Sequence, residues 1–255
     1  MLSEQRRLKI LELLQEEGSA RVSTLSKLFK VSEPTIRQDL EKLEEEGLVL
    51  KEHGGASLKS ISQQVKSMSL QHLENLDKKM AIARKAAEFV SNGDSVILDS
   101  GSTITELAKN LTGRQGLKVI TNALNIALNL GANGSCEVLM TGGEFKAPTL
   151  SLTGERAASF FHEIHVDKLF LATGGISSSL NLTYPGFADL PVKRAMIEAA
   201  GHVYLVADST KIGKTAFASM GAIDLVDTFI TDAGLDPAVK AAIEARGVEV
   251  ILCED

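Results

Sequence analysis

The stretch Val31-Ser32-Glu33-Pro34-Thr35-Ile36-Arg37-Gln38-Asp39-Leu40-Glu41-Lys42-Leu43 has few options besides a helix with two unlike faces. Ser32 is suited to cap it, because its hydroxyl accepts a backbone N–H that the first turn leaves unpaired. Pro34 is tolerated there for the same reason. Ile36, Leu40 and Leu43 recur at i, i+4 and i+7 and predict one apolar stripe. Thr35, Gln38 and Lys42 take another face, with Arg37 beside them. Side chains of these types read base edges and phosphates.

The flanking residues extend the pattern. Arg21 to Phe29 carries Val22, Leu25, Leu28 and Phe29 at helical spacing, and Lys30-Val31-Ser32 makes a tight turn. Two helices so joined read as a helix-turn-helix, whose second helix enters the major groove. Ser3 to Glu16 is a third helix, with Leu8, Ile10, Leu11 and Leu14 as its apolar face, stopped at Glu17-Gly18. Gly47 ends the reading helix, and Leu48 to Gly55 reads as a short β-wing. The face expected on DNA comprises Ser32, Thr35, Arg37, Gln38, Lys42, Lys51, His53 and Gly54.

Charge restrains this reading. The chain of 255 residues has a net charge of −6, and residues 1–58 carry nine Lys and Arg against eleven Asp and Glu. A generally adhesive nucleic-acid binder is therefore excluded. Glu44, Glu45 and Glu46 sit at the far end of the helix, while Arg37, Lys42 and Lys51 are expected nearer DNA. Two cysteines, Cys136 and Cys253, are too few and too isolated for a disulfide framework or a zinc site. No metal and no cofactor are expected. The amphipathic, charged N-terminus is no signal peptide, and no run reaches membrane-spanning length, so a cytoplasmic protein is expected.

At residues 59–76 the chain turns rich in Ser and Gln and reads as a partly helical connector, Ile61, Val65, Met68 and His72 marking a face. His72 is expected to be a surface side chain. Residues 1–58, 59–76 and 77–255 are thus expected to be a winged helix-turn-helix domain, a linker and an α/β domain. In the last of these, apolar strands at Ser95–Leu98, Lys118–Ile120, Glu137–Met140, Lys168–Leu171, Val203–Val206, Thr228–Ile230 and Glu249–Leu252 alternate with helices, Lys78–Val90 and Thr103–Leu111 among them. That rhythm implies a mainly parallel sheet covered on both faces.

Six of the seven strands are followed by small polar residues: Asp99-Ser100-Gly101-Ser102-Thr103, Thr121-Asn122, Thr141-Gly142-Gly143, Thr173-Gly174-Gly175, Asp208-Ser209-Thr210-Lys211 and Thr231-Asp232. Ligands of open α/β sheets bind beyond these strand ends. The turn at Asp99–Thr103 leaves a strand and opens a helix, where backbone donors and the helix dipole favour an anion by about 0.3–1 kcal/mol. It lacks the Gly-Lys-Ser/Thr ending of a Walker A loop. A pocket of this composition suits a polyol or sugar phosphate. Ser177 to Pro191 reads as a long irregular connection, fit for a lid, an oligomer contact or a plain surface excursion.

Leu25-x-x-x-Phe29-x-Val31-Ser32-x-x-Thr35-Ile36-Arg37-x-Asp39-Leu40-x-x-Leu43, followed by His53-Gly54-Gly55-Ala56, resembles the DeoR family of bacterial transcriptional regulators. The family often shows Arg-Arg-Asp where this chain has Arg37-Gln38-Asp39. Ile97 to Thr103, Ile120-Thr121-Asn122, Thr141-Gly142-Gly143, Val192 to Ile197 and Ala207 to Phe217 are similar to that family's sensor domain. Where many members show Asp-Gly after the fourth strand, this chain has Thr173-Gly174-Gly175-Ile176. The resemblance implies a sensor fold similar to ribose-5-phosphate isomerase and glucosamine-6-phosphate deaminase, and a phosphorylated sugar as effector. It assigns Asp99, Ser100, Gly101, Ser102, Thr103, Thr121, Asn122, Gly142, Gly143, Gly174, Lys193, Asp208 and Lys211 to the effector pocket. It further implies a homo-oligomer, dimer or tetramer, on a double-stranded operator, most simply as repressor of a sugar or polyol catabolic operon. The rival is an isomerase or deaminase-like enzyme working through Asp99, Asp208 and Lys211, but no paired acid–base motif of recognised spacing supports it.

Overall fold

A computed structural model describes residues 3–17, 19–46, 48–52, 54–58, 72–132 and 134–254. The chain divides into two compact units, residues 1–71 with 146–149, and residues 72–145 with 150–255.

The first unit holds helices α1 (Ser3–Glu17), α2 (Val22–Phe29) and α3 (Glu33–Glu45) and strands β1 (Ser19–Arg21), β2 (Val49–Glu52) and β3 (Gly55–Leu58). Its core joins Ile10 and Leu14 to Val22, Leu25, Ile36, Leu40, Leu43 and Val49. Each such side chain contributes roughly 1.5–3 kcal/mol on full burial. Leu8, expected on the inner face of α1, is exposed instead; Ile10 and Leu14 with Leu11 and Leu13 set the buried stripe. Lys30 ends α2 in the left-handed region at φ 53°, and Ser32 caps α3 by accepting the Thr35 N–H at 3.3 Å. The wing is a three-stranded sheet in the order β1-β3-β2. Arg21, expected to open α2, belongs to β1, where it pairs with Gly55. A Cβ on Gly55 would stand 2.5 Å from the Ala20 carbonyl oxygen, so only glycine lets β1 approach. Gly18, Gly47, His53 and Ile61, Val65 and Met68 of the expected connector lie outside the described residues.

The second unit contains α4 (Leu76–Ala87), α5 (Ser102–Asn110), α6 (Leu124–Gly131), α7 (Glu155–Phe161), α8 (Asp189–Glu198) and α9 (Pro237–Glu244). Its main sheet is built from β4 (Ser95–Leu98), β5 (Leu117–Thr121), β6 (Cys136–Met140), β9 (Val166–Leu171), β12 (Ala200–Val206), β14 (Thr228–Asp232) and β15 (Glu249–Cys253). Short strands β7 (Glu144–Lys146) and β8 (Ser151–Thr153) form a ribbon, and β10 (Gly175–Ile176), β11 (Asn181–Tyr184) and β13 (Ala218–Ala222) a small antiparallel sheet. The seven main strands are parallel in the order β15-β14-β12-β9-β4-β5-β6. The chain runs outward from β4 to β6, then resumes at β9 on the other side of β4. The switch point lies between β4 and β9.

Strand alternation assigns neighbours to opposite faces. Ile97, Ile120, Leu171, Leu205 and Phe229 join one cluster with Phe161, Val192, Met196 and Ile243 of α7, α8 and α9. Val96, Leu98, Val119, Val206 and Ile230 join the other with Ile82, Ile104, Leu107 and Ile126 of α4, α5 and α6. Among the described residues, no helix is long and apolar enough to cross a membrane.

Two expectations fail here. Ser177–Pro191 is no irregular excursion: it contains β11, whose Leu182 and Tyr184 are buried, and the first turn of α8. Its hydrogen-bonding partner β13 lies far along the chain, so no local pattern announced it. His72 is no surface residue; its Nε2 lies 2.6 Å from the Glu106 carboxylate of α5, within the second unit.

Candidate functional site

In the first unit, Arg37, Gln38 and Lys42 project from α3 into solvent, with Thr35 half-buried beside them. The Ser32 and Thr35 hydroxyls are 2.8 Å apart and share a hydrogen bond at the helix start. Arg37 bonds Glu33 at 3.2 Å, one turn earlier, and Lys51 on β2 bonds Glu41 at 2.9 Å. Exposed pairs of this kind are worth about 0–1 kcal/mol, so phosphate can displace them cheaply. Gly54 is exposed at φ +83° in the hairpin between β2 and β3. Beneath this surface Asp39 is buried, its carboxylate taking Arg6 Nε at 2.5 Å and Nη2 at 3.2 Å from α1. That pair clamps α1 to α3 and escaped the sequence reading, which saw only the apolar stripe.

In the second unit, the residues after β4 and β9 meet at the switch point. Asp99 is fully buried. Its Oδ2 accepts the Ala172 N–H at 3.0 Å, and its Oδ1 accepts the Ser100 N–H at 2.7 Å and the Lys193 ammonium from α8. Lys193 also lies 5.5 Å from the Tyr184 ring centroid, and Tyr184 donates to the Ala172 carbonyl at 2.9 Å. Burial pushes the Tyr184 phenol well above its ordinary value, with Asp99 and Asp189 adding to it, so this hydroxyl stays protonated. Gly101, at φ +143°, would bring a Cβ to 3.0 Å from that of Ala172. The loop thus passes tightly over β9 and delivers Ser102 and Thr103 to the start of α5. No side chain caps that helix, so its first-turn N–H groups have no intrahelical acceptor.

Next to the loop, Thr121 donates its hydroxyl to the Leu98 carbonyl at 2.7 Å. Asn122 is buried and donates its Nδ2 to the Leu152 carbonyl at 3.0 Å. Gly142 and Gly143 are exposed beyond β6. Gly174 donates its N–H to Thr183 at 3.0 Å and so serves the small sheet.

Asp208 and Lys211 fall in a different group. After Leu205 on the α8 face and Val206 on the α4 face, alternation turns Asp208 toward α4. Asp208 accepts the Thr210 N–H at 3.1 Å and Asn75 Nδ2 at 3.5 Å. Lys78 bridges Asp232 at 2.8 Å and Ser209 at 3.0 Å. Burial lowers the pKa of the neighbouring Lys79 ammonium; Asp208 raises it and Lys211 lowers it further. Asp232 is held down at about 2: burial opposes ionisation, but Lys78 and the Ser209 and Gly234 donors outweigh it. The structure therefore brings Asp99, Ser100, Gly101 and Lys193 together, and sets Asp208 and Lys211 beside Asn75, Lys78 and Lys79. None of those three was read as a site residue, because a helix preceding the sheet gives no local sign of which strand ends it will reach. Among the described residues, no group of His, Cys, Asp and Glu is placed to hold a metal ion.

A winged helix-turn-helix joined to a parallel α/β unit with polar residues gathered at its switch point is the build of a ligand-responsive DNA-binding regulator. Residues 6–63 match the DeoR-like helix-turn-helix domain and residues 74–233 the DeoR C terminal sensor domain. The glycerol-3-phosphate regulon repressor of Escherichia coli is 33% identical over 253 residues, covering 99% of this chain and 100% of that protein. The HTH-type transcriptional repressor GlcR of Bacillus subtilis is 32% identical over 254 residues, covering 100% of this chain and 98% of that protein. The chain belongs to the DeoR family of transcriptional regulators. Ribose 5-phosphate isomerase A of Methanocaldococcus jannaschii overlaps 54% of this chain and 55% of its own at TM-score 0.41 and 16% identity, too loosely to bear on function.

Proposed function

We propose that this regulator is a repressor of a sugar or polyol catabolic operon, released from DNA by a phosphorylated sugar or polyol. The observation that supports it is the pairing of a capped helix, with exposed Arg37, Gln38 and Lys42 beside a half-buried Thr35, and an uncapped α5 start beside Asp99. Thr35, Arg37, Gln38 and Lys42 read the operator, with Ser32, Lys51, His53 and Gly54 fixing α3 and the wing on phosphates. Two or more copies place α3 helices in successive major grooves. The protein works in the cytoplasm. A relative's name, the glycerol-3-phosphate regulon repressor, favours the effector class.

In this reading Asp99 does not touch the effector. Its carboxylate is engaged by Lys193, Ser100 and Ala172, and it holds the Ser100–Thr103 loop so that backbone N–H groups meet a phosphate. The same engagement argues against Asp99 as a general base, and against turnover of the ligand.

The test is a DNA-binding titration of wild type and Arg37→Ala on specific and random duplexes. If Arg37 bonds a guanine edge, the variant loses about 1–3 kcal/mol on the specific site alone; a phosphate contact weakens both alike. Binding unchanged from wild type on both duplexes would remove α3 as the reader. Incubation with the stabilising sugar phosphate should return it unchanged, whereas conversion that Asp99→Asn abolishes would favour an isomerase.

A further inference from the structure

Among the described residues, two polar groups at neighbouring strand ends stand buried and unpaired: Asn122 Oδ1 and Thr141 Oγ1. An unsatisfied buried polar atom costs about 1–3 kcal/mol, so folds keep few of them without a use. The register places both on one row. Leu98 pairs with Thr121 and Thr121 with Met140, so Asp99, Asn122 and Thr141 follow at one level across β4, β5 and β6. The Thr141 N–H donates to the Thr121 carbonyl at 3.2 Å, which extends that register by one step. Ile97 and Ile120, two residues before Asp99 and Asn122, face the α8 cluster, and Leu139 packs against it. The row therefore lies on the Lys193 side of the sheet.

The Asn122 amide has a fixed orientation. Its nitrogen is committed to the Leu152 carbonyl, and its backbone oxygen accepts the Leu152 N–H at 2.7 Å. Its Oδ1 is then an acceptor awaiting a donor. Thr141 Oγ1 can donate or accept, yet the two are not bonded to each other. A group that donates to one and accepts from the other fills both needs, and an alcohol does this.

We propose that Asn122 and Thr141 form a hydroxyl-binding subsite, which selects polyhydroxylated phosphates over plain ones. The inference rests on the phosphate-effector reading above and adds to it the direction of the ligand: phosphate at the start of α5, hydroxyl-bearing carbons toward β5 and β6. Thr141 is then a specificity residue that leaves phosphate binding untouched.

The test uses the full chain and Thr141→Val, which keeps the shape and removes the hydroxyl. Ligand affinity is read by calorimetry against glycerol 3-phosphate, ribose 5-phosphate and fructose 6-phosphate, with propyl phosphate and inorganic phosphate as counterparts without carbinol groups. Thr141→Val should melt at or above the wild-type temperature, since it removes an unpaired buried group. It should bind its best polyol phosphate about three- to tenfold more weakly and propyl phosphate equally well. Asn122→Leu should lose the same preference; its lost bond to Leu152 is controlled by the melting temperature. Unchanged selectivity in a folded Thr141→Val overturns the subsite, leaves the phosphate reading standing and reduces the orphan pair to a water site. Binding of none of the five compounds by wild type overturns the phosphate reading and the subsite with it.

Discussion

The two charged clusters at the top of the sheet have similar composition and opposite construction. Asp99 and Lys193 are both almost wholly buried, and the carboxylate is further tied to two backbone N–H groups. Asp208 and Asp232 are buried too, but their cationic neighbours Lys78 and Lys211 reach partly into solvent. The first cluster ties the end of β4 to the end of β9 and to α8 and so shapes the loop after β4. The second joins α4 to the ends of β12 and β14 and leaves Lys78 and Lys211 half-exposed. A buried ion pair is rigid because breaking it strands a charge, whereas a half-exposed one exchanges partners at little cost.

The difference is sharpest in stability. Lys193→Met should lower unfolding free energy by about 3–5 kcal/mol, because Asp99 is left charged and buried. Adding Asp99→Asn should recover much of that loss, a coupling that urea titrations of the single and double variants measure. A loss below 1 kcal/mol for Lys193→Met would show that the first cluster is as loose as the second.

Lys211→Ala should leave stability near wild type and act on the ligand. Loss of a charge-assisted partner predicts about 1.5–3 kcal/mol weaker effector binding, with operator affinity unchanged in its absence. An operator titration against effector reads this as a midpoint moved to higher concentration, and coincident midpoints would assign Lys211 to the α4 cluster alone.

The smallest effect is on pH. Asp232 titrates at about 2 in the fold against an ordinary 3.8. A depressed carboxylate stabilises the fold above its ordinary value and loses that contribution as pH falls through the folded one. Asp232→Asn should flatten the stability profile between about pH 4 and 2, by on the order of 1–2 kcal/mol after allowance for solvent near Lys78. Parallel profiles for variant and wild type would leave the Lys78–Asp232 pair without energetic weight.

Local pattern settled much of this protein. Ser32 as cap, the Ile36-Leu40-Leu43 stripe and the Ser95–Leu98 strand are statements about neighbours in sequence, and each stands in the structure; of the polar residues expected after the strands, Thr121 and Thr231-Asp232 are the last residues of β5 and β14 instead. The apolar stripe of α3 depends on residues three and four apart, so it was readable in place, whereas Arg21 and Leu8 took positions set by the β1–β3 pairing and by the core. The tertiary structure decided what depends on distant partners: Arg6 reaching Asp39, β11 pairing with β13, His72 meeting Glu106, and Lys193, 94 residues on, meeting Asp99. It also divided one list of strand-end residues into two groups. Sequence order names the residues that follow each strand, but the face each one takes is fixed by strand alternation and by the helix packed against it, and those are properties of the assembled sheet.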